Sequence, residues 1–422
     1  MKKILIITHF FPPRPSIGSV RPGGLAKYLP RFGWEPIIIT TTLPGPSEFK
    51  YQIIQTDYHK DFSYVIKKFL KLNPEFRLDQ QSKPILIPGK KDSLLPKIME
   101  FIFGIINYPD ELKGWTPFAL KAGKKILAQE KIDMILSTSH PVTAHLIARK
   151  LKTISRVPWV ADLRDLWTQN PYYQYWVIRK HFEKRLEITT LSQADALVTV
   201  SEPLAEELQF LHKNQYILPI ITGFDPDIIN SAPLTKNFTI TYTGRFYDGK
   251  RDPSLLFMAL RELIDRKELN PQLIKVRFWG SVNHWLNQEI KRFKLDGVTY
   301  QSGMILHKDV LIKQRESQIL LLLNWNNPQE KGTYTGKIFE YLAARRPILA
   351  IGPQGVVSKL LNETKAGHHA NDLTSLKKII VNFYKEFQSQ GQVSYQGNWE
   401  EISKYSQIEM ARQFTELFEK IL

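Results

Sequence analysis

GTYTGKIFEYLAARRPILAIG, residues 332–352, reads as a loop, a helix and a buried strand in close succession. Gly332 and Gly336 free the backbone where a turn leads into a helix. Lys337 to Ala344 is then expected as a helix that stops before Pro347. Pro347 to Ile351 follows as an apolar strand that ends at Gly352. On the helix Lys337, Glu340 and Tyr341 stand at i, i+3 and i+4 and share a face, while Ile338, Phe339 and Leu342 cover the inward side. A helix N-terminus favours anions, and a lysine in its first turn strengthens that. A carboxylate one turn on accepts hydrogen bonds from paired sugar hydroxyls, so the face suits a ribose joined to a diphosphate. An ordinary surface ion pair between Lys337 and Glu340 fits the same spacing.

The N-terminal half carries the same βα rhythm. Ile4 to Ile7 is wholly apolar, as expected of a strand covered on both faces of a parallel sheet. A Pro/Gly loop follows from Phe10 to Gly18, then a helical stretch about Gly24 to Phe32, Gly33, and the strand Pro36 to Thr40. Ligands of open α/β sheets sit outside the strands' carboxyl ends, which puts the loop beside a site. There Gly18 lets the backbone approach a phosphate and Arg21 supplies charge; a plain flexible loop fits as well, and no G-x-G-x-x-G is present. Further strands at Lys131–Pro141 and Val157–Trp167 place Ser139 and His140 at one carboxyl end, and Asp162, Arg164 and Asp165 at another. A lone histidine also fits a structural hydrogen-bonding role. Ala194 to Pro203 is the last strand and turn of this half, with a structural role expected. Between them, about 51–106, the rhythm breaks: Lys83, Lys90, Lys91 and Lys97 precede the apolar run Ile98–Ile106. Either an interfacial membrane contact or an inserted helical hairpin accounts for that composition.

Pro219, Gly223, Pro226 and Pro233 mark an interdomain connection. Phe238–Arg245 opens a second sheet, to which Val276–Gly280, Thr299–Gly303 and Ile319–Asn324 contribute strands and turns. Arg245 and Lys250 lie between a strand's carboxyl end and a helix start, where two cations neutralise a diphosphate leaving group in place of a metal; solvated surface charges fit equally. Trp399–Leu422 has an amphipathic helical pattern.

Composition bounds the rest. A chain of 422 residues, 43% hydrophobic and 23% charged, is expected as a globular protein of two domains. No apolar run reaches the ~18 residues of a membrane span, and the basic, apolar start reads as a strand rather than a signal peptide. Cysteine is absent, which excludes disulfides and fits a cytoplasmic protein. The formal net charge of +17 asks for an anionic partner. With no Lys/Arg run longer than two and no nucleic-acid module, an anionic ligand or membrane surface is preferred over nucleic acid. His368 and His369, adjacent, chelate poorly; no metal and no cofactor are expected.

Lys337-x-x-Glu-Tyr-Leu-Ala-Ala-x-x-Pro-Ile-Leu resembles the nucleotide-sugar signature of family-4 glycosyltransferases with the GT-B fold, most similar to the branch that builds bacterial surface polysaccharides. The resemblance implies an α/β chain of two Rossmann-like, doubly wound parallel-sheet domains facing a cleft. Residues 1–217 form the acceptor-side domain and 218–398 the nucleotide-sugar domain, with 399–422 crossing back and Gly223-Phe-Asp225 at the hinge. It implies that Gly18, Gly244, Arg245, Lys250, Lys337, Glu340 and Tyr341 bind the donor, with Arg251 a substitute for Lys250. Ser139, Arg21, Asp162, Arg164 and Asp165 lie on the acceptor side, and Arg245, Lys250 and His140 are the catalytic candidates, Ser139 fitting the family's histidine position as well as His140. Many members carry two glutamates eight positions apart; Glu340 fits the second, while Gly332 stands at the first. The implied activity is retaining transfer from a nucleotide diphosphate sugar to a lipid-linked or polysaccharide-precursor acceptor, at the inner face of the cell membrane. A GT-B sugar-nucleotide epimerase, or a non-enzymatic basic protein on membrane or nucleic acid, are the alternatives.

Overall fold

Thirteen strands form two wholly parallel sheets in the computed structural model, which describes residues 1–59, 104–173, 175–228, 232–247, 249–327 and 330–422. Most of the basic and apolar stretch at 51–106 lies outside the described residues, with its four lysines and the run's first residues. The chain divides into two compact units, Met1–Ile220 with Ala411–Leu422, and Ile221–Met410.

In the first unit β1 (Lys2–Ile7), β2 (Trp34–Thr41), β3 (Ile53–Thr56), β4 (Met134–Ser139), β5 (Trp159–Leu163), β6 (Ala196–Thr199) and β7 (Ile217–Pro219) lie in the order β3-β2-β1-β4-β5-β6-β7. Helices α1 (Ile17–Tyr28), α2 (Thr116–Gln129), α3 (Thr143–Ser155), α4 (Val177–Leu191) and α5 (Glu202–Leu211) belong to the same unit. Ile4 to Ile7 are all fully buried, as an apolar run between two helical layers must be. Strand β3 falls inside the stretch where the sequence rhythm breaks, and pairs Ile53 with Ile38.

The second unit repeats the plan: β8 (Phe238–Thr243), β9 (Ile274–Trp279), β10 (Thr299–Gly303), β11 (Ile319–Leu323), β12 (Ile348–Ile351) and β13 (Gly367–Ala370) run in the order β10-β9-β8-β11-β12-β13. Its helices are α6 (Ser254–Asp265), α7 (His284–Arg292), α8 (His307–Arg315), α9 (Gly336–Ala344), α10 (Val356–Thr364), α11 (Leu373–Gln390) and α12 (Trp399–Ser403). In both sheets the strand order reverses beside the first strand, between β1 and β4 and between β8 and β11. That reversal opens a crevice at the strands' carboxyl ends. His368 and His369 lie on β13, a strand their polarity hides from a sequence reading.

Two helical expectations are corrected. The first helix begins at Ile17, because the Ser16 hydroxyl accepts from the Gly18 amide and caps it, so Gly18 and Arg21 are helical rather than in a loop. The C-terminal segment is two helices, since Ser406 caps α13 (Gln407–Ile421) by accepting from Glu409 N at 3.2 Å, while Tyr405 is buried with its hydroxyl 2.9 Å from Glu363. From Ala411 on, α13 counts with the first unit, where Phe418 packs 5.1 Å from the Trp34 ring.

Candidate functional site

The switch point of the second sheet gathers four of the residues singled out in the sequence, Gly244, Arg245, Lys337 and Glu340. Past β8, Gly244 donates its amide to the Trp279 carbonyl at 2.7 Å; past β9, Gly280 donates to the Gly303 carbonyl at 3.0 Å. The two glycines carry the pairing beyond the strands with φ of +126° and +152°, a region that disfavours a side chain. Gly280 also lies against Gly244, for a Cβ at 280 would come 3.0 Å from the Gly244 carbonyl carbon and closer still to its oxygen. Over these turns opens a cavity of about 260 Å³ lined by Thr243, Gly244, Arg245, Trp279, Gly280, Ser281, Met304, Ile305, His307, Val310, Lys337 and Glu340.

Helix α9 supplies the cavity's charges from its first turns. Lys337 Nζ lies over the Tyr242 ring at 5.2 Å and beside Gly244. Burial, with the Arg251 charge acting the same way and Glu340 opposing, pulls the Lys337 amine down to about 8, so it is charged at neutral pH at a cost the fold bears. An anion placed there relieves that cost. The Glu340 carboxylate is held at both oxygens, by His307 Nε2 at 2.9 Å and by Gln314 Nε2 at 2.8 Å. The hydrogen bond to Glu340 raises the His307 pKa above its ordinary value, against the effect of burial. Gln314 is buried, also donates to Thr243 Oγ1 at 3.0 Å, and leaves its own Oε1 buried without a hydrogen bond.

Three expectations change here. Tyr341 faces the core, not the ligand: its hydroxyl accepts from the Thr243 amide at 3.2 Å and donates to the Leu321 carbonyl at 3.1 Å, bridging β8 and β11. A large ring next to Ile338 and Leu342 contributes more by burial than by staying on the polar edge. Lys250 stacks on Trp325, 4.2 Å from the ring centre, and is not among the cavity's lining residues. Arg251 is no substitute for it, because its guanidinium is buried in a salt bridge with Glu330 at 2.8 Å. His307 and Gln314 escaped the sequence reading because α8 reads as an ordinary charged helix, and only the fold brings it against Glu340.

In the first unit, Ser139 is buried at the end of β4 and His140 beside it is exposed. Past β5, Arg164 forks onto Asp165 with bonds of 3.1 and 2.8 Å. Desolvation pushes the Asp165 carboxyl up, but the Arg164 charge and hydrogen bonds, with His140 adding, hold it below its ordinary range. His140, Arg164 and Asp165 thus share one electrostatic neighbourhood. Arg21 and Asp162 are corrected as acceptor-facing groups. They bind each other through bonds of 2.8–3.0 Å, are 1% and 0% exposed, and clamp α1 to β5. His9, two residues past the β1 apolar run, was not singled out. Both its ring nitrogens are buried without a hydrogen bond, and burial, with the Arg14 charge, depresses its pKa to about 3.

Comparison with known proteins adds a partial family match. The model of Glycosyltransferase Family 4 matches residues 23–228. That match spans just under half of the chain, whose fold is that of the GT-B glycosyltransferases. The chain superposes on HepE from Anabaena, solved with UDP and glucose, with a TM-score of 0.61 at 14% identity over all of both chains. It superposes on the sucrose-phosphate synthase of Thermosynechococcus elongatus with a TM-score of 0.62, again at 14% identity, over 100% and 99% of the two chains. A protein described as a UDP-N-acetylglucosamine 2-epimerase from Listeria monocytogenes is less similar, with a TM-score of 0.51 at 13% identity over 98% and 95%. No curated protein sequence matches the chain. The matched family residues end before the cavity of the second unit, so a donor-site reading of that cavity stands on geometry. No helix among the described residues is long and apolar enough to cross a membrane.

Proposed function

We propose that the chain is a glycosyltransferase that binds a nucleotide diphosphate sugar in the cavity of its second unit. It then transfers the sugar, with retention, to a lipid-linked or polysaccharide-precursor acceptor at the cytoplasmic face of a membrane. One observation carries the donor reading: a lysine held charged and desolvated over a bare glycine turn, one helical turn from a carboxylate fixed at both oxygens. Lys337 and Arg245 receive the diphosphate, which the side-chain-free turns at Gly244 and Gly280 allow to approach closely. Glu340 accepts from the ribose hydroxyls, and His307 gives way or shares that carboxylate. The solved HepE complexes, with UDP and with UDP-glucose, support a nucleoside diphosphate in a fold of this kind.

For the chemical step, cations at the departing diphosphate lower its leaving barrier by electrostatic stabilisation without proton transfer to it. Arg245 and Lys337 fill that role, and Lys250 joins them once its stack on Trp325 opens toward the ligand. His140, with Arg164 and Asp165, forms the polar group proposed for the transferred sugar and acceptor; Gly18 and Ser139 are assigned backbone and structural roles there.

The test is thermal stability with nucleoside diphosphates and their sugar conjugates, without added metal. A binder at 100 times its dissociation constant adds about 2.7 kcal/mol. A shift with one base, lost in Lys337→Ala and Glu340→Ala, is the expected result; no shift with any base sinks the donor reading. Loss of the donor sugar's configuration without any acceptor would instead identify an epimerase.

A further inference from the structure

Helix α4 is built inside out. Its buried face carries Arg179, Glu183 and Glu187 at i, i+4 and i+8, and its exposed face carries Val177, Ile178, Phe182 and Ile188. Val177 is 84% exposed, Ile178 63% and Phe182 55%, on consecutive turns of one helix. The buried Arg179 is well partnered: it pairs with Glu183 at 2.9 Å, donates to the Asn107 and Pro109 carbonyls at 3.1 and 3.0 Å, and stacks on Tyr175 at 3.3 Å. Glu187 accepts from the Thr168 amide at 3.1 Å. Such a network locks the rotation of the helix, so the apolar residues are held outward and cannot roll inward. Both acids of α4 are buried, whereas Lys180, Lys184 and Arg185 are exposed. The outer face is therefore apolar and purely cationic.

From this geometry we infer that the outer face of α4 is a docking surface for an anionic lipid bilayer. Val177, Ile178 and Phe182 enter the interface, and Lys180, Lys184 and Arg185 meet lipid phosphates. A second copy of the chain fits less well, because a twofold contact on this face sets like charges opposite one another. The inference deepens the membrane location proposed above but does not depend on the donor assignment.

The test is sedimentation of the full chain with vesicles of phosphatidylcholine alone and of phosphatidylcholine with phosphatidylglycerol. Binding is expected only to the anionic vesicles, weakening with salt. Lys180→Glu/Lys184→Glu/Arg185→Glu should lower it on the order of a hundredfold, given about fivefold per basic residue at an anionic surface. Val177→Ser/Ile178→Ser/Phe182→Ser, all exposed and so compatible with folding, should lower it without removing its salt dependence. Nucleoside diphosphate binding in vesicle-free solution should be unchanged in both variants, which separates this surface from the donor site. Wild-type binding retained in both variants, absence of binding to anionic vesicles, or conversion of a dimer to a monomer by the serine variant would each overturn the assignment.

Discussion

Lys337 lies directly across Gly244: a Cβ at position 244 would come 2.8 Å from Lys337 Nζ and closer still to Cε. The absence of a side chain at 244 is thus what lets the lysine reach the mouth of the turn. Gly244→Ala should displace Lys337 and weaken nucleoside diphosphate binding about tenfold or more, the scale of one charge-assisted hydrogen bond. The strained φ adds a stability loss of about 1–3 kcal/mol. Combined with Lys337→Ala, it should cost little further affinity, because both changes remove the same interaction; additive losses in the double-mutant cycle would show that they act separately.

The depressed pKa of Lys337 predicts opposite pH trends for binding and for stability. The diphosphate needs the charged amine, so affinity should fall as pH rises above about 8. The folded value lies below the ordinary 10.5, so the unfolded chain holds more protons between about 8 and 10.5, and stability contributed by this group rises across that window. Lys337→Met should flatten both trends, weaken binding at pH 7 and raise the melting temperature there. Titration calorimetry and thermal melts across about pH 6.5–10 check the pair of signs. A stability loss in Lys337→Met at pH 7 would contradict the cost assigned to the buried charge.

Glu340 is fixed between His307 and Gln314, and the consequences of removing each differ. Glu340→Gln keeps the shape and removes the charge, so nucleoside diphosphate affinity should fall about 10- to 100-fold, as for hydrogen bonds to an ionised acceptor. The His307 pKa is raised, so the pair's stabilisation is fully present below pH 6.5 and fades as pH rises through the higher folded value. In Glu340→Gln, that acid-side stabilisation should disappear, and an NMR titration of His307 should return toward 6.5. An unmoved His307 titration would mean that the pair does not form in solution.

The repeating strand–helix pattern and the helix at 337–344 were legible because each is written in local sequence. Four apolar residues in a row at Ile4–Ile7 and a proline at 347 say what their own neighbourhoods do. The cavity's cations Arg245 and Lys337 were legible for the same reason, since both flank glycine turns at strand or helix ends. What stayed hidden needed contacts across the chain. Tyr341 shares a helix edge with Lys337 yet turns toward Thr243, 98 residues away, and Gln314 reaches Glu340 from another helix. Arg21 read as a charge on the loop after the first strand and Asp162, 141 residues on, as a polar group at a strand end, and only their pairing shows that both are sealed from solvent.

That pairing separates a structural role from an acceptor contact. Breaking a buried pair strands the remaining charge, so Asp162→Asn or Arg21→Met alone should destabilise the fold by about 3–5 kcal/mol, whereas an apolar replacement of both partners should recover much of the loss. Arg21 also lies under the Phe414 ring, with its guanidinium 5.1 Å from the ring centre, so its removal should expose the α13 docking face to hydrogen exchange. Denaturant unfolding of the single and double variants, with exchange followed over Gln407–Ile421, measures both effects. If Asp162→Asn kept full stability and lost only transfer to acceptor, the pair would have to open during turnover and meet the acceptor directly, contrary to its burial.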